Sequence, residues 1–256
     1  MSTAKPIIEV NDLTKDFGHG RGIFNVSFTV QPGEVFGFLG PNGAGKTTTM
    51  RHLMGFSQPS TGNTRILSKD CWKQHHEIKD NIGYLPGEIS VPNHLNGAGF
   101  IKQMADFRKI KDLTYAKELT ERFSLDTSIK LNRMSLGTKR KLAIVTAFLH
   151  DPDVLLLDEP TGGLDPLMQD TFVQFIKAEK KRGKTILLSS HIFSEVDATC
   201  DKIAIIKEGK LVSTFLADDI RQSNVTLADH FMSFYRKAEP PQEVRSSVQP
   251  KEAQPC

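Results

Sequence analysis

Gly40-Pro41-Asn42-Gly43-Ala44-Gly45-Lys46-Thr47 fits the pattern G-x-x-x-x-G-K-[ST], and each of its parts suits the holding of a polyphosphate. Glycines let the backbone curl so that its N–H groups turn inward toward phosphate oxygens. A helix beginning at Lys46 offers its positive end to the same anion. The Lys46 ammonium can reach the β- and γ-phosphates as a compact cation, and the Thr47 hydroxyl can ligate Mg²⁺. With Thr48, these residues form the candidate ATP-binding stretch. A chance glycine-rich turn would match the same letters. Here, however, the motif follows an apolar run and opens a helical one, which is the context it requires.

A second group of chemical residues closes the apolar run Val154-Leu155-Leu156-Leu157 with Asp158-Glu159. Asp158 at a strand end suits Mg²⁺, directly or through water. Glu159 can polarise an attacking water as general base. Many strands end in acids at a surface, so the pair gains its meaning from the phosphate loop on a neighbouring parallel strand.

These residues must be positioned by strands and helices, and the pattern supplies them. Residues 7–10 read as a short strand, and residues 24–30 alternate Phe24, Val26, Phe28 and Val30 with polar neighbours. After the Pro32-Gly33 turn, residues 35–39 form an apolar strand, and a helix follows over 46–54, stopping at Gly55. From about Asn93 to Leu125 the pattern is helical, with Phe100, Met104 and Phe107 on one side and Thr114 in place to cap a second helix. A further helix runs from Ser135 to His150. Strands then return at 154–157, 185–188 and 203–206, and Glu208-Gly209-Lys210 turns into residues 211–215. Asp165-Pro166 starts the intervening helix and Gly183 ends it. Wholly apolar strands alternating with helices indicate a parallel sheet covered on both faces. Residues 226–235 form one amphipathic helix, with Asp229 completing a capping box on Thr226 and Leu227, Phe231 and Phe234 facing a partner surface. From about Lys237 the chain is polar, contains proline and reads as disordered. No internal repeat is present.

The bulk numbers exclude several classes. With 38% hydrophobic and 25% charged residues, the 256-residue chain has the composition of a globular protein. A net charge of +3 makes no case for nucleic acid or for a membrane surface. Cys71, Cys200 and Cys256 are widely spaced, without a CxxC pair, which argues against a disulfide framework or a zinc site and fits a reducing cytosol. The N-terminus lacks the apolar stretch of a signal peptide. The most apolar run, residues 142–149, is far short of the roughly 18 residues of a membrane span. Work at a membrane would therefore need another chain to span it.

Together with four further segments in order, these motifs make residues 7–215 resemble the nucleotide-binding subunit of an ABC (ATP-binding cassette) transporter. Phe17, before Gly18, stands where that family places an aromatic that stacks on adenine. Met134-Ser135-Leu136-Gly137-Thr138 resembles the signature, whose Ser135 and Gly137 would donate to the γ-phosphate of ATP held by the opposite subunit. Gly163-Leu164-Asp165 resembles the D-loop that crosses the dimer interface. His191, after a strand ending in Ser189-Ser190, matches the switch histidine that contacts the γ-phosphate. Two departures stand out. The usual LSGGQ signature has Leu136 for a glycine and Thr138 for the glutamine, which bears on γ-phosphate contact in the opposite site. In Ile82-Gly83-Tyr84-Leu85-Pro86-Gly87-Glu88, Gly87 stands where a glutamine commonly links Mg²⁺ to the membrane partner, with Glu88 as the available substitute.

The resemblance implies an α/β fold of P-loop NTPase type. It would have a parallel-sheet RecA-like core, an N-terminal antiparallel β region and a helical subdomain inserted over about 88–143, all within residues 1–217, with a short helix and tail over 218–256. It implies ATP and Mg²⁺ as cofactors and a homodimer or heterodimer of ATPase subunits that closes on ATP and opens on hydrolysis. A separate transmembrane permease would hold the chain at the cytoplasmic face of the membrane, and no nucleic acid is expected. The chain would be a separate ATPase subunit without the C-terminal regulatory domain of some importers. The 82–88 segment and the tail helix look most like bacterial antibiotic- and drug-export subunits. Two other readings stay open: a soluble ABC-type ATPase acting on DNA or ribosomes, and a nucleotide-gated module with weak hydrolysis.

Overall fold

The computed structural model describes residues 5–92 and 94–235. Asn93, Cys256 and the tail from Lys237 onward, read from sequence as disordered, lie outside the described residues. In chain order, the first half holds β1 (Ile8–Asp16), β2 (Gly22–Val30), β3 (Val35–Leu39), α1 (Lys46–Leu53), β4 (Thr61–Ile66), β5 (Lys69–Asp70), α2 (His75–Ile78) and β6 (Ile82–Leu85). The helices α3 (Gly97–Phe107), α4 (Thr114–Arg122) and α5 (Leu136–Phe148) follow without a strand between them. Alternation then resumes with β7 (Val154–Asp158), α6 (Pro166–Lys181), β8 (Thr185–Ser190), α7 (Phe193–Thr199), β9 (Lys202–Lys207), β10 (Lys210–Leu216), α8 (Ala217–Arg221) and α9 (Leu227–Ser233).

Two sheets result. One is antiparallel, in the order β2-β1-β4-β5. The other has the order β10-β9-β3-β8-β7-β6 and is parallel except for β10, which returns beside β9 through the Glu208-Gly209 turn. The α/β architecture expected from sequence, a parallel core with an antiparallel N-terminal region and inserted helices, is the one found. Strands β3, β7 and β8 are buried along their whole length, as strands covered on both faces must be. Alternate residues feed two separate apolar clusters. Leu155, Leu157, Ile186 and Leu188 face α5 and α6, where Phe148, Phe172 and Phe175 pack. Val154, Leu156, Leu187 and Phe38 face the antiparallel sheet and α1. Each such side chain taken out of water contributes roughly 1.5–3 kcal/mol.

Four local expectations are corrected. In β2, Phe24 is only half-buried while Ile23 is fully buried, because Asn25 adopts φ +50 and resets the alternation. On α3 the buried stripe is Gly97, Ile101 and Ala105, whereas Phe107 at the helix end is 75% exposed. Thr114 is the first residue of α4 and does not cap it; the Asp112 carboxylate accepts from its N–H at 2.9 Å and from its hydroxyl at 2.7 Å. On α9, Leu227 and Phe231 are buried against the chain's own core, with Phe231 edge-on to Phe193 and Phe234 packed alongside. An apolar face on a short helix finds cover in its own domain first. Thr226 caps α9 by accepting from the Asp229 N–H, but the second half of the expected capping box, a bond from the Thr226 N–H to the Asp229 side chain, is absent among the described residues. The Asp229 carboxylate meets the Thr226 hydroxyl at 2.7 Å.

Candidate nucleotide-binding site

Parallel pairing brings the carboxyl ends of three strands side by side, Leu39 opposite Ser190 and Ser189 opposite Asp158. Such ends are where open α/β sheets hold ligands. The loop after β3 passes Gly45 at φ +111, and a methyl group there would come within 2.5 Å of the Ile23 side chain. Only glycine meets both conditions. Helix α1 starts directly after it with no side-chain cap, so its first N–H groups are left for an anion.

Lys46, the first residue of α1, is buried. Its ammonium donates to the carbonyls of Gly40 at 2.6 Å and Pro41 at 3.1 Å. It also pairs with Glu159 Oε1 at 2.9 Å. The other carboxylate oxygen of Glu159 lies 2.6 Å from His191 Nδ1. Residues that follow three neighbouring strands, β3, β7 and β8, thus make one continuous polar chain. Glu159 itself has φ +49, held by hydrogen bonds from its N–H to the Ser189 carbonyl and hydroxyl.

Asp158 is fully buried. Its Oδ1 accepts from the Ser189 hydroxyl, and its Oδ2 has no hydrogen-bond partner among the described residues. A desolvated carboxylate oxygen with nothing to bond calls for a cation. Gly87 flanks that oxygen, and a methyl group at position 87 would sit 3.1 Å from it. Burial, reinforced by the Asp158 charge, pushes the Tyr84 phenol up to about 12. The adjoining cleft of about 620 Å³ is lined by Thr47, Arg51, Phe56, Tyr84, Gly87 and Glu88 among others. Among the described residues no cluster of three or more His, Cys, Asp or Glu could cage a metal. Mg²⁺ needs no such cage where phosphates supply oxygens, and Thr47 with Asp158 fits it.

Ser135 caps α5, accepting from the Thr138 N–H at 3.1 Å, and it is exposed with Leu136, which is 62% exposed. Gly137 packs on the loop after β7, where a methyl group would meet the Gly163 carbonyl at 2.7 Å. The side chain of Asp165 caps α6 by accepting from Met168 N–H at 3.0 Å. Phe17 is 55% exposed on a turn closed by the Arg21 carbonyl and the Asp16 carboxylate. The Ser189 and Thr48 positions lie within the site's strand and helix, but Ser135, Gly137 and Phe17 form no hydrogen bond or ion pair with the phosphate loop among the described residues.

Sequence reasoning missed two buried polar residues beside the site. Arg140, on α5, donates to three backbone carbonyls in two different loops. Glu195, on α7, accepts from the Ser190 hydroxyl at 2.6 Å, and burial pushes its carboxyl up to about 7. Neither carries a motif signal, since both read as ordinary charged positions on a helix.

Residues 23–162 match the family model described as ABC transporter. The uncharacterised ABC transporter ATP-binding protein YhcH of Bacillus subtilis (strain 168) is 35% identical, over 92% of this chain and 77% of its own. The bacitracin transport ATP-binding protein BcrA of Bacillus licheniformis is 34% identical, over 91% of this chain and 77% of its own. A solved ATP-binding subunit of an ABC transporter superposes with a TM-score of 0.81 at 28% identity, covering 90% of this chain and 100% of that one.

Proposed function

Because the chain belongs to the ATP-binding proteins of ABC transporters, a family of ATPases that power transport, we propose how its own residues divide that work. The reading rests on one observation: Lys46, ion-paired to Glu159, and His191, hydrogen-bonded to it, form one continuous polar chain beside the free oxygen of Asp158. ATP lies with its phosphates over residues 40–48, where Lys46 exchanges the Gly40 and Pro41 carbonyls for phosphate oxygens. Thr47 and Asp158 would hold Mg²⁺, whose charge would offset that of the phosphates. Glu159 takes a proton from the attacking water, and His191, hydrogen-bonded to it, fixes its orientation and faces the γ-phosphate. Phe17 offers an exposed ring to the base.

Ser135 and Gly137 stand at an exposed helix N-terminus, apart from the phosphate loop of their own chain. We assign them to ATP in a second ATPase subunit, identical or different, with Asp165 and its loop at the crossing between subunits. No helix among the described residues is long and apolar enough to cross a membrane. The proposed partner is therefore a transmembrane subunit that meets the Gly87–Glu88 loop and α3–α5, and the proposed location is the cytoplasmic face of the membrane. The 31% identity to the Nod factor export ATP-binding protein I of Burkholderia lata favours export.

The hydrolytic assignment is tested by the ATPase rate of the chain beside Glu159→Gln. Removing the base should lower the rate on the order of 10²-fold or more while ATP binding persists. Equal rates would leave a nucleotide-gated module. Affinity purification from membranes in mild detergent tests the partner: a polytopic protein in stoichiometric amount is expected, and ribosomes or nucleic acid in its place would remove the transport assignment.

A further inference from the structure

Arg140 is a buried cation that forms no ion pair among the described residues. Burial pulls its guanidinium down from its ordinary range, opposed through space by the charges of Asp158 and Glu159. Its fork is spent on main-chain oxygens. Nη1 donates to the Pro86 carbonyl at 2.9 Å, Nη2 to the Gly87 carbonyl at 2.7 Å and Nε to the Gly162 carbonyl at 3.1 Å. The planar fork holds its donors on three separate nitrogens at fixed angles, a span that the single nitrogen of a lysine does not cover.

The three carbonyls lie where the nucleotide chemistry meets the rest of the chain. Gly87 is the residue beside the free oxygen of Asp158. Gly162 follows Glu159 and is tied to it by an N–H to carbonyl bond of 3.1 Å. Arg140 itself sits on the helix whose first turn carries Ser135 and Gly137. Position 87 has no side chain, so a displacement of this loop cannot be read out by a side chain there. The loop's carbonyls remain, and both are in the grip of one residue.

We propose that Arg140 is a positioning residue that couples the Pro86–Gly87 loop and the Gly162 loop to helix α5, so that a shift beside Asp158 reorients Ser135 and Gly137. In this chain the coupling runs through backbone carbonyls and a guanidinium. The inference rests on the ATPase reading above.

The test uses the full chain and Arg140→Lys. Amide hydrogen exchange over residues 84–90 should quicken about tenfold, since the loop loses two of its ties. The kcat for ATP should fall by about tenfold with KM and the affinity for a fluorescent ATP analogue within about threefold, the mark of misplacement without loss of binding. Wild-type exchange and wild-type kcat would overturn the proposal, as would a loss of affinity as large as the loss of kcat. A cycle with Gly87→Ala, whose added methyl crowds Asp158, should be non-additive in kcat, and additive effects would also overturn it. If Arg140→Lys does not fold, Gly87→Ala alone must speed exchange over residues 136–141, and silence there refutes the coupling. Should the wild type show no hydrolysis, the ATPase reading fails while the exchange data still decide the coupling.

Discussion

Strands β7 and β8 carry buried charge at both ends, and the two ends treat it in opposite ways. At the amino ends, the Lys184 ammonium meets Asp151 at 2.5 Å, Glu179 at 3.8 Å and the Pro152 carbonyl at 2.6 Å. Arg182 adds ion pairs to Asp151 at 2.6 Å and Glu179 at 3.0 Å, and the Tyr115 hydroxyl donates to Glu179 at 3.2 Å. Every member has partners of fixed sign and place. At the carboxyl ends, five residues or roughly 17 Å away along the strand, Asp158 keeps an oxygen without a partner and Lys46 leans on loop carbonyls. The same residue types therefore make a rivet at one end and a receptacle at the other. Burial alone does not mark a functional charge; incomplete satisfaction does.

The comparison can be broken by paired substitutions. Lys184→Met should cost about 3 kcal/mol of stability, because the buried Pro152 carbonyl loses its donor and the buried Glu179 keeps only the half-exposed Arg182 among the described residues, and nucleotide affinity should not change. Asp158→Asn should cost little stability, within about 1 kcal/mol, or even add some, while hydrolysis is lost. Urea unfolding of both variants checks this, and equal destabilisation would erase the distinction. A smaller effect sharpens it at Glu195, beside the receptacle. Its carboxyl is raised to about 7 from an ordinary 4.5. Between those values the folded chain keeps a proton that the unfolded chain releases, so stability falls as pH rises through that window. Glu195→Gln removes this loss and should gain about 2 kcal/mol over wild type at pH 8, with the gain vanishing near pH 4.5. Melting scans at the two pH values decide; a gain independent of pH would mean that the carboxyl is not protonated on folding.

The receptacle was more legible in the sequence than the rivet. Residues 40–47 and the Asp158-Glu159 pair are contiguous, and their spacing follows from backbone geometry, so the letters state the chemistry. The apolar strands were equally plain, since β3, β7 and β8 are buried on both faces. Strand β4, Thr-Gly-Asn-Thr-Arg-Ile, offers no alternation and exists through its pairing with β1. The rivet brings Tyr115 of α4 and Asp151 of the loop before β7 to Glu179, Arg182 and Lys184 around the end of α6, and no local pattern shows that the first two meet the other three. Arg140 was hidden for the same reason, because its partners are backbone oxygens of residues more than 20 positions away. Phe107 and α9 misled because periodicity shows that a face is apolar without showing what covers it.

The two apolar clusters share only the strands that separate them. Neighbouring residues of one strand thus answer to different packing constraints, Leu155 to the helical side and Leu156 to the side of the phosphate loop. Sequence change on the helical side can accumulate, altering the surface of α3 and α4, while the opposite packing stays as it was. A lineage could in this way drift to fit a different companion without rebuilding its engine.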